Sequence, residues 1–300
     1  MRELHFLQVD VFTETAFGGN QLAVFLDCDD LDQATMETLA FEMNFSESTF
    51  VQKSRVKDCA ARVRICVPRK EIPFAGHPTV GTAAVLHLRG AIPARAHLEL
   101  GVGPVAVEVE RKGDRFARAY MIQPRTVLGP SLRVEADIAR ALGLAQSEVD
   151  PKFPIRVVSA GLPFLLVGVR TRKALAQAQP NSAVLLEQLE RAPALGVMVY
   201  TLDAPASGAL VSARMFAPLA SQMIEDPATG SAAGPLAAHL AECGVEAAFP
   251  GRSLVIRQGE DMGRTSVLEC QVLGLADANE GVRVGGGVVV VGEGRMFLEA

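Results

Sequence analysis

The chain has 300 residues, 49% hydrophobic and 21% charged, with a formal net charge of −5. That is enough apolar material for a sizeable core and enough length for two domains of ordinary size. Its 29 Lys and Arg are scattered, and with no Trp and two Tyr it offers neither a basic patch nor an aromatic stacking surface for nucleic acid. A small polar substrate fits better. The start, Met1 to Asp10, lacks the apolar stretch of a signal peptide, and no run approaches the ~18 apolar residues needed to span a membrane. A cytoplasmic protein with no membrane contact is expected. Five cysteines, Cys28, Cys59, Cys66, Cys243 and Cys270, form no C-x-x-C pair, and the five histidines lack ligand spacing. Neither a disulfide framework nor a metal site is expected.

In chain order, Leu7, Val9 and Val11 alternate with Gln8 and Asp10 as a first strand. The Gly18-Gly19-Asn20 turn then leads to an apolar stretch, Leu22 to Leu26. Met36, Leu39, Ala40 and Met43 fall on one helical face, with Asp30 or Asp32 available as N-cap and Asn44 as the stop. Ser48 to Lys53 and Ala60 to Val67 read as strands, which places Glu47 at a helix-to-strand junction. Pro78 and the small residues that follow predict a buried helix from about His77 to Arg89. Strands follow at Leu98 to Leu100, Val105 to Glu110 and Ala117 to Ile122. The Pro- and Gly-containing stretch Pro124 to Pro130 is the expected domain crossing.

The second half repeats the theme. A helix at Val134 to Leu142 is followed by strands at Ile155 to Ser159, Phe164 to Val169, Val197 to Leu202 and Leu210 to Phe216. A small-residue helix from Gly230 to Cys243 is the counterpart of His77 to Arg89. Strands at Ser253 to Gln258, Ser266 to Val272 and Val282 to Val291 complete the chain, with Gly285 to Gly287 marking a bend or a close backbone approach. The implied fold is α+β: two similar domains, 1–124 and 125–300, each a curved, barrel-like, mostly antiparallel sheet around a central buried helix. A C-terminal strand over 290–300 could complete the first.

Two segments stand out, Phe74 to Gly81 and Glu225 to Gly234. Each sets polar and glycine residues before an apolar helix, so that backbone N–H groups and the positive end of a helix dipole point at whatever lies in front. Facing each other, two such ends would grip a small anion.

Six segments in order resemble the PhzF family, isomerase-like proteins named for phenazine biosynthesis and built on the diaminopimelate-epimerase fold. They are Phe17-Gly18-Gly19-Asn20 with Ala23-Val24, Asn44 to Val51, Pro73 to Gly81, Arg214-Met215-Phe216, Glu225 to Leu240, and Gln258-Gly259 with Gly263-Arg264. One departure is Gln21, where family members usually carry proline. The resemblance implies that Glu47 is the acid/base and that His77 and Asp226 are polar catalytic partners. Ser46, Gly76, Gly230 and Ser231 match substrate-binding positions, in a cleft between the domains. It further implies a homodimer, no cofactor, and isomerisation of a small carboxylate-bearing metabolite, with trans-2,3-dihydro-3-hydroxyanthranilate as the candidate.

The residues alone support part of this. Moving a proton within a carbon skeleton needs one group that removes it and can return it, and a carboxyl in a partly dry cleft is suited to that. Related racemases of this fold use two cysteines, one before each buried helix. Here Ala75 and Asp226-Pro227-Ala228 stand in those places, which argues against two-thiol stereoinversion and for moving a double bond. Plainer readings exist: Glu47 as a solvated charge, His77 as a helix cap, Asp226-Pro227 as an N-cap and first-turn proline. Gly230 to Gly234 resembles a nucleophile elbow, but G-x-S-x-G would need glycine at Thr229. Gly101-Val102-Gly103 lacks the third glycine of a dinucleotide fingerprint. The rival functions are an amino-acid epimerase or racemase of the same fold, and a non-catalytic metabolite-binding protein.

Overall fold

The computed structural model describes residues 2–204, 208, 210–219, 222–274 and 281–298. In chain order the main elements begin with β1 (Arg2–Val11), β2 (Asn20–Phe25), α1 (Gln33–Met43), β3 (Ser48–Gln52), β4 (Ala61–Val67) and β5 (Lys70–Ile72). They continue through α2 (Gly76–Leu88), β6 (Arg95–Leu100), β7 (Gly103–Arg111), β8 (Phe116–Ile122), β9 (Val127–Leu128), α3 (Glu135–Ala141), β10 (Arg156–Ser159) and β11 (Pro163–Gly168). Next come α4 (Arg172–Gln177), α5 (Ser182–Arg191), β12 (Val197–Thr201), β13 (Val211–Leu219) and β14 (Gln222–Asp226). The last are α6 (Gly230–Glu242), β15 (Leu254–Gln258), β16 (Ser266–Val272) and β17 (Val282–Leu298). Two units form, Met1–Ile122 with Gly285–Ala300, and Gln123–Val284. The strand expected to end at Val291 runs on to Leu298; the last two residues of the 290–300 segment lie outside the described residues. Among the described residues no helix is long and apolar enough to cross a membrane.

In the first unit the sheet closes on itself. β1 runs antiparallel to β2, β2 parallel to β3, β3 antiparallel to β4, and β4 parallel to β6. β6, β7 and β8 are antiparallel neighbours, and β8 returns through β17 to β1. Inside this eight-stranded circuit lies α2, in contact with β1, β2, β3, β4, β7 and β8 and buried from Gly76 through Leu86. The small residues foreseen as a buried helix allow that fit. A Cβ on Gly81 would lie 2.7 Å from Leu22 and 2.8 Å from Val11. On the outside, α1 is capped by Asp32, whose carboxylate accepts from the Thr35 N–H at 2.8 Å, and stopped by Asn44 in the left-handed region (φ 53). Its Met36, Leu39 and Ala40 pack with Phe25 and Phe50, whose rings stack at 4.9 Å.

The second unit carries a sheet in which β9, β10 and β11 are antiparallel, β11 is parallel to β12, and β12 is antiparallel to β13. β13 pairs with β14 and, in parallel, with β15, which pairs with β16. α6, buried from Gly230 to Ala241, packs on β10, β11 and β16. Leu165, Val167, Val197 and Val199 share a second core with residues of α3, α4 and α5, so β11 and β12 are covered on both faces. Between Val169 and Val197, where the sequence pattern marks no element, lie α4 and α5, N-capped by the Thr171 and Asn181 side chains. Nor does the sequence pattern announce β5, three residues long, or β14.

The glycine run at 285–287 is a close approach of backbones. A Cβ on Gly285 would run into the Ala119 carbonyl and lie 2.6 Å from Tyr120 Cα, whereas one on Gly292 would meet only Gln8, at 3.9 Å. Gly285→Ala is therefore expected to cost about 1–3 kcal/mol in urea unfolding, and Gly292→Ala no more than about 0.5 kcal/mol. In the second unit His239 is fully buried with Nε2 3.0 Å from Tyr200 Oη, and burial, helped by the Arg156 charge, pushes its pKa down to about 4. Because the folded value lies below the unfolded one, this stability is complete above about pH 6.5 and is lost as pH falls towards 4, by about 3 kcal/mol at the limit. Urea midpoints between pH 7 and 4.5 should fall more steeply for the native chain than for His239→Gln.

Candidate active site

The start of α2 is built to collect polar groups. Its N-cap, Ala75, is extended and supplies no side-chain bond, so the first-turn N–H groups of Gly76 and His77 lie at the helix mouth, and Pro78 has none to lose. Two pieces of chain bring side chains to this mouth. Asn20 opens β2, and Ser46 and Glu47 fill the short link that Asn44 turns out of α1 towards β3.

Asn20 Nδ2 lies 3.2 Å from His77 Nδ1, and Asn20 Oδ1 accepts from the Ser46 hydroxyl at 3.3 Å. On the other side of the ring, His77 Nε2 is 3.6 Å from Glu47 Oε2, with side-chain exposures of 4% and 17%. Glu47 Oε2 is shielded from solvent and accepts no hydrogen bond among the described residues. Burial pushes the Glu47 pKa up to about 7, and the polar Ser46 side chain beside it only partly opposes this. A carboxyl poised there can both take and give a proton at neutral pH. Its Oε2 is one of the buried polar atoms that no described group satisfies.

Asp226, Gly230 and Ser231 belong to the second unit, gathered at the start of α6. Asp226 is not the N-cap of that helix, contrary to the plain reading of Asp226-Pro227. It ends β14, the cap position is Thr229, and the Thr229 hydroxyl donates to Asp226 Oδ2 at 2.5 Å. Buried Gln258 braces the turn between them. Its Oε1 accepts from the Thr229 N–H at 3.1 Å, while its Nε2 donates to the Asp226 carbonyl at 2.8 Å and contacts Thr229 Oγ1 at 3.0 Å. The Ser266 hydroxyl holds the Pro227 carbonyl at 2.9 Å. Gly259, at φ 74, sits so close that a Cβ would lie 2.6 Å from the Pro227 carbonyl oxygen. Gln123 Nε2 donates to the Gly230 carbonyl at 2.8 Å, and Pro235 removes the N–H that would have bonded the Ser231 carbonyl.

Arg214, which lies in one of the resembling segments, acts on the frame. It forks onto Glu225 at 2.9 and 2.7 Å, and its Nη1 donates to the carbonyls of Leu175, Ala176 and Ala178 at 3.1, 3.1 and 2.9 Å. A cation there closes the C-terminal end of α4. The structure thus brings Ser46, Glu47 and His77 together at the helix that Gly76 opens. The residues missed as site components are Asn20 and Gln258. Both lie inside resembling segments, and both are polar residues at strand ends next to a glycine, the only signal that could have singled them out. Among the described residues no group of three His, Cys, Asp or Glu stands close enough to hold a metal ion.

The model of the family described as "Phenazine biosynthesis-like protein" matches residues 9–294. A trans-2,3-dihydro-3-hydroxyanthranilate isomerase from Pseudomonas chlororaphis is 37% identical over 298 residues, covering 98% of this chain and 99% of its own length. The crystal structure of a PhzF-family phenazine biosynthesis protein from Bacillus anthracis superimposes with a TM-score of 0.87 at 25% identity, covering 99% of this chain and 100% of its own. A hydroxyproline epimerase from Agrobacterium vitis shares the fold alone, with a TM-score of 0.69 at 13% identity over 99% of this chain and 91% of its own. On this match over nearly the whole chain, the protein belongs to the PhzC-PhzF family of phenazine biosynthesis-like proteins.

Proposed function

We propose that in this PhzF-family isomerase Glu47 is the single acid/base, and that the substrate is trans-2,3-dihydro-3-hydroxyanthranilate. The observation that carries the chemistry is the half-buried Glu47 side chain, whose Oε2 is shielded from solvent and accepts no hydrogen bond from the described residues, a setting that raises its pKa to about 7. The name of the Pseudomonas chlororaphis relative, a trans-2,3-dihydro-3-hydroxyanthranilate isomerase, supports the substrate.

The Glu47 carboxylate takes the proton from the ring carbon that bears the hydroxyl. That C–H bond breaks, an O–H bond forms on Glu47, and the electron pair passes into the ring π system. Glu47 then returns the proton to another ring carbon and the resulting enol becomes the ketone. One proton leaves and one is added, so the step needs no oxidant or reductant. His77 offers its ring as a polar partner beside the carboxyl. The first-turn N–H groups of Gly76 and His77 bind the substrate carboxylate, with Ser46 as a further polar contact. A thiol mechanism has no candidate at Ala75 or across Asp226 to Ala228. Cys66 is buried, with its pKa pushed up to about 12.

Purified protein should convert the substrate, and an unchanged substrate would remove the assignment. Glu47→Gln, which keeps shape and loses the titrating group, should lower kcat by at least about 10²-fold; retained activity would remove Glu47 from the mechanism. The working base is the carboxylate, so kcat/KM should rise with pH through about 7. Stability carries the opposite sign. The folded pKa is raised, so the favourable contribution of Glu47 is present below about pH 4.5 and is lost as pH rises through 7. Between pH 5 and 8 the native chain should lose up to about 3 kcal/mol relative to Glu47→Gln in urea unfolding.

A further inference from the structure

The pairing of Asn20 with His77 bears on where the substrate's proton can go. Nδ2 of an amide carries hydrogens and no lone pair for this purpose, so the His77 Nδ1 facing it at 3.2 Å must be the unprotonated, accepting nitrogen. The amide is turned that way by the Ser46 hydroxyl on its Oδ1, 3.3 Å away. At the other side of the ring Nε2 faces a carboxylate oxygen, 3.6 Å off, which favours a hydrogen on Nε2. The two ends of the ring ask for the same tautomer. Asn20 and His77 are both buried, so no bulk water competes to reset it.

We propose that Asn20 is a positioning residue that fixes His77 as the neutral Nε2–H tautomer, and that this confines the substrate's proton to Glu47. A nitrogen that already carries hydrogen cannot accept the proton that Glu47 has just taken. The other ring nitrogen is occupied by Asn20 and turned away from the carboxyl. The proton therefore remains on Glu47 until it is returned to the substrate, instead of passing through His77 to solvent. The tautomer stands on the geometry of the first unit alone; the confinement rests on the role proposed above for Glu47.

Long-range 1H–15N correlation on protein labelled in its histidines tests the tautomer without substrate, with the His77 signals assigned by their loss in His77→Gln. At pH 7.5 the native chain should show His77 protonated at Nε2 only. Asn20→Asp replaces the donor by a carboxylate and should move the proton to Nδ1 or produce the imidazolium. Protonation at Nδ1 in the native chain, an imidazolium there, or an unchanged tautomer in folded Asn20→Asp overturns the assignment. If Asn20→Asp does not fold, the native spectrum still decides it.

For the confinement, substrate deuterated at the hydroxyl-bearing carbon is converted in ordinary water. The native enzyme should carry the label into product, and Asn20→Asp should release a several-fold larger share to solvent. Equal retention by the two proteins overturns the confinement. No turnover by the native enzyme instead contradicts the proposed function, and leaves the tautomer to the spectra.

Discussion

A helix buried on every side can present polar groups only at its ends, and α2 is such a helix. Closed inside eight strands, it leaves room for little else. Its middle meets the wall through Thr82 and Thr49, hydroxyl to hydroxyl at 2.8 Å, while Thr79 turns back to the Ala75 carbonyl at 2.7 Å. Everything chemical in this unit is therefore pushed to the mouth where α2 begins. There the N–H groups of the first turn are unpaired by the helix itself and the dipole is positive. Gly81 lets β1 and β2 come close enough to close the wall; Gly285 and Gly287 let β17 pass close to the neighbouring backbone.

At that mouth burial acts on a carboxyl, and elsewhere it acts on an imidazole, with different outcomes. Glu47 is raised to about 7 because the ionised form loses water, a cost that the neighbouring Ser46 side chain only partly offsets. His239 is lowered to about 4 for the same reason, since its cation loses water beside the Arg156 charge. The difference lies in satisfaction. His239 has its Nε2 on the Tyr200 hydroxyl at 3.0 Å and reads as packing. Glu47 has an oxygen that no described group satisfies, and so reads as a site. A shifted pKa alone would not have separated the two.

Much of the architecture was legible in local patterns. Period-two alternation located most strands, the small-residue runs after Gly76 and Gly230 located both buried helices, and Asp32 and Asn44 marked the ends of α1. Glu47, Ser46 and His77 were found as site residues through the family resemblance, and their neighbourhood to one another is long-range, as strands bring it about. What escaped the sequence depends on tertiary partners. Asn20 reaches a histidine 57 positions away and Gln258 braces Thr229 from 29 positions away; neither bond has a local signature. The same holds for α4, six residues long, whose end is closed by an arginine on a distant strand. The plainer reading of Asp226 as a helix cap fails because Asp226 ends β14 and Thr229 takes the cap position.

The central claim is that the fold holds Glu47 as a carboxyl that titrates near neutrality. Following the Glu47 side-chain carboxyl by 13C chemical shift against pH, with its signal assigned by Glu47→Gln, measures this with no substrate present. The account predicts a transition centred near pH 7. A transition near 4.5, the ordinary range of an exposed glutamate, would contradict it.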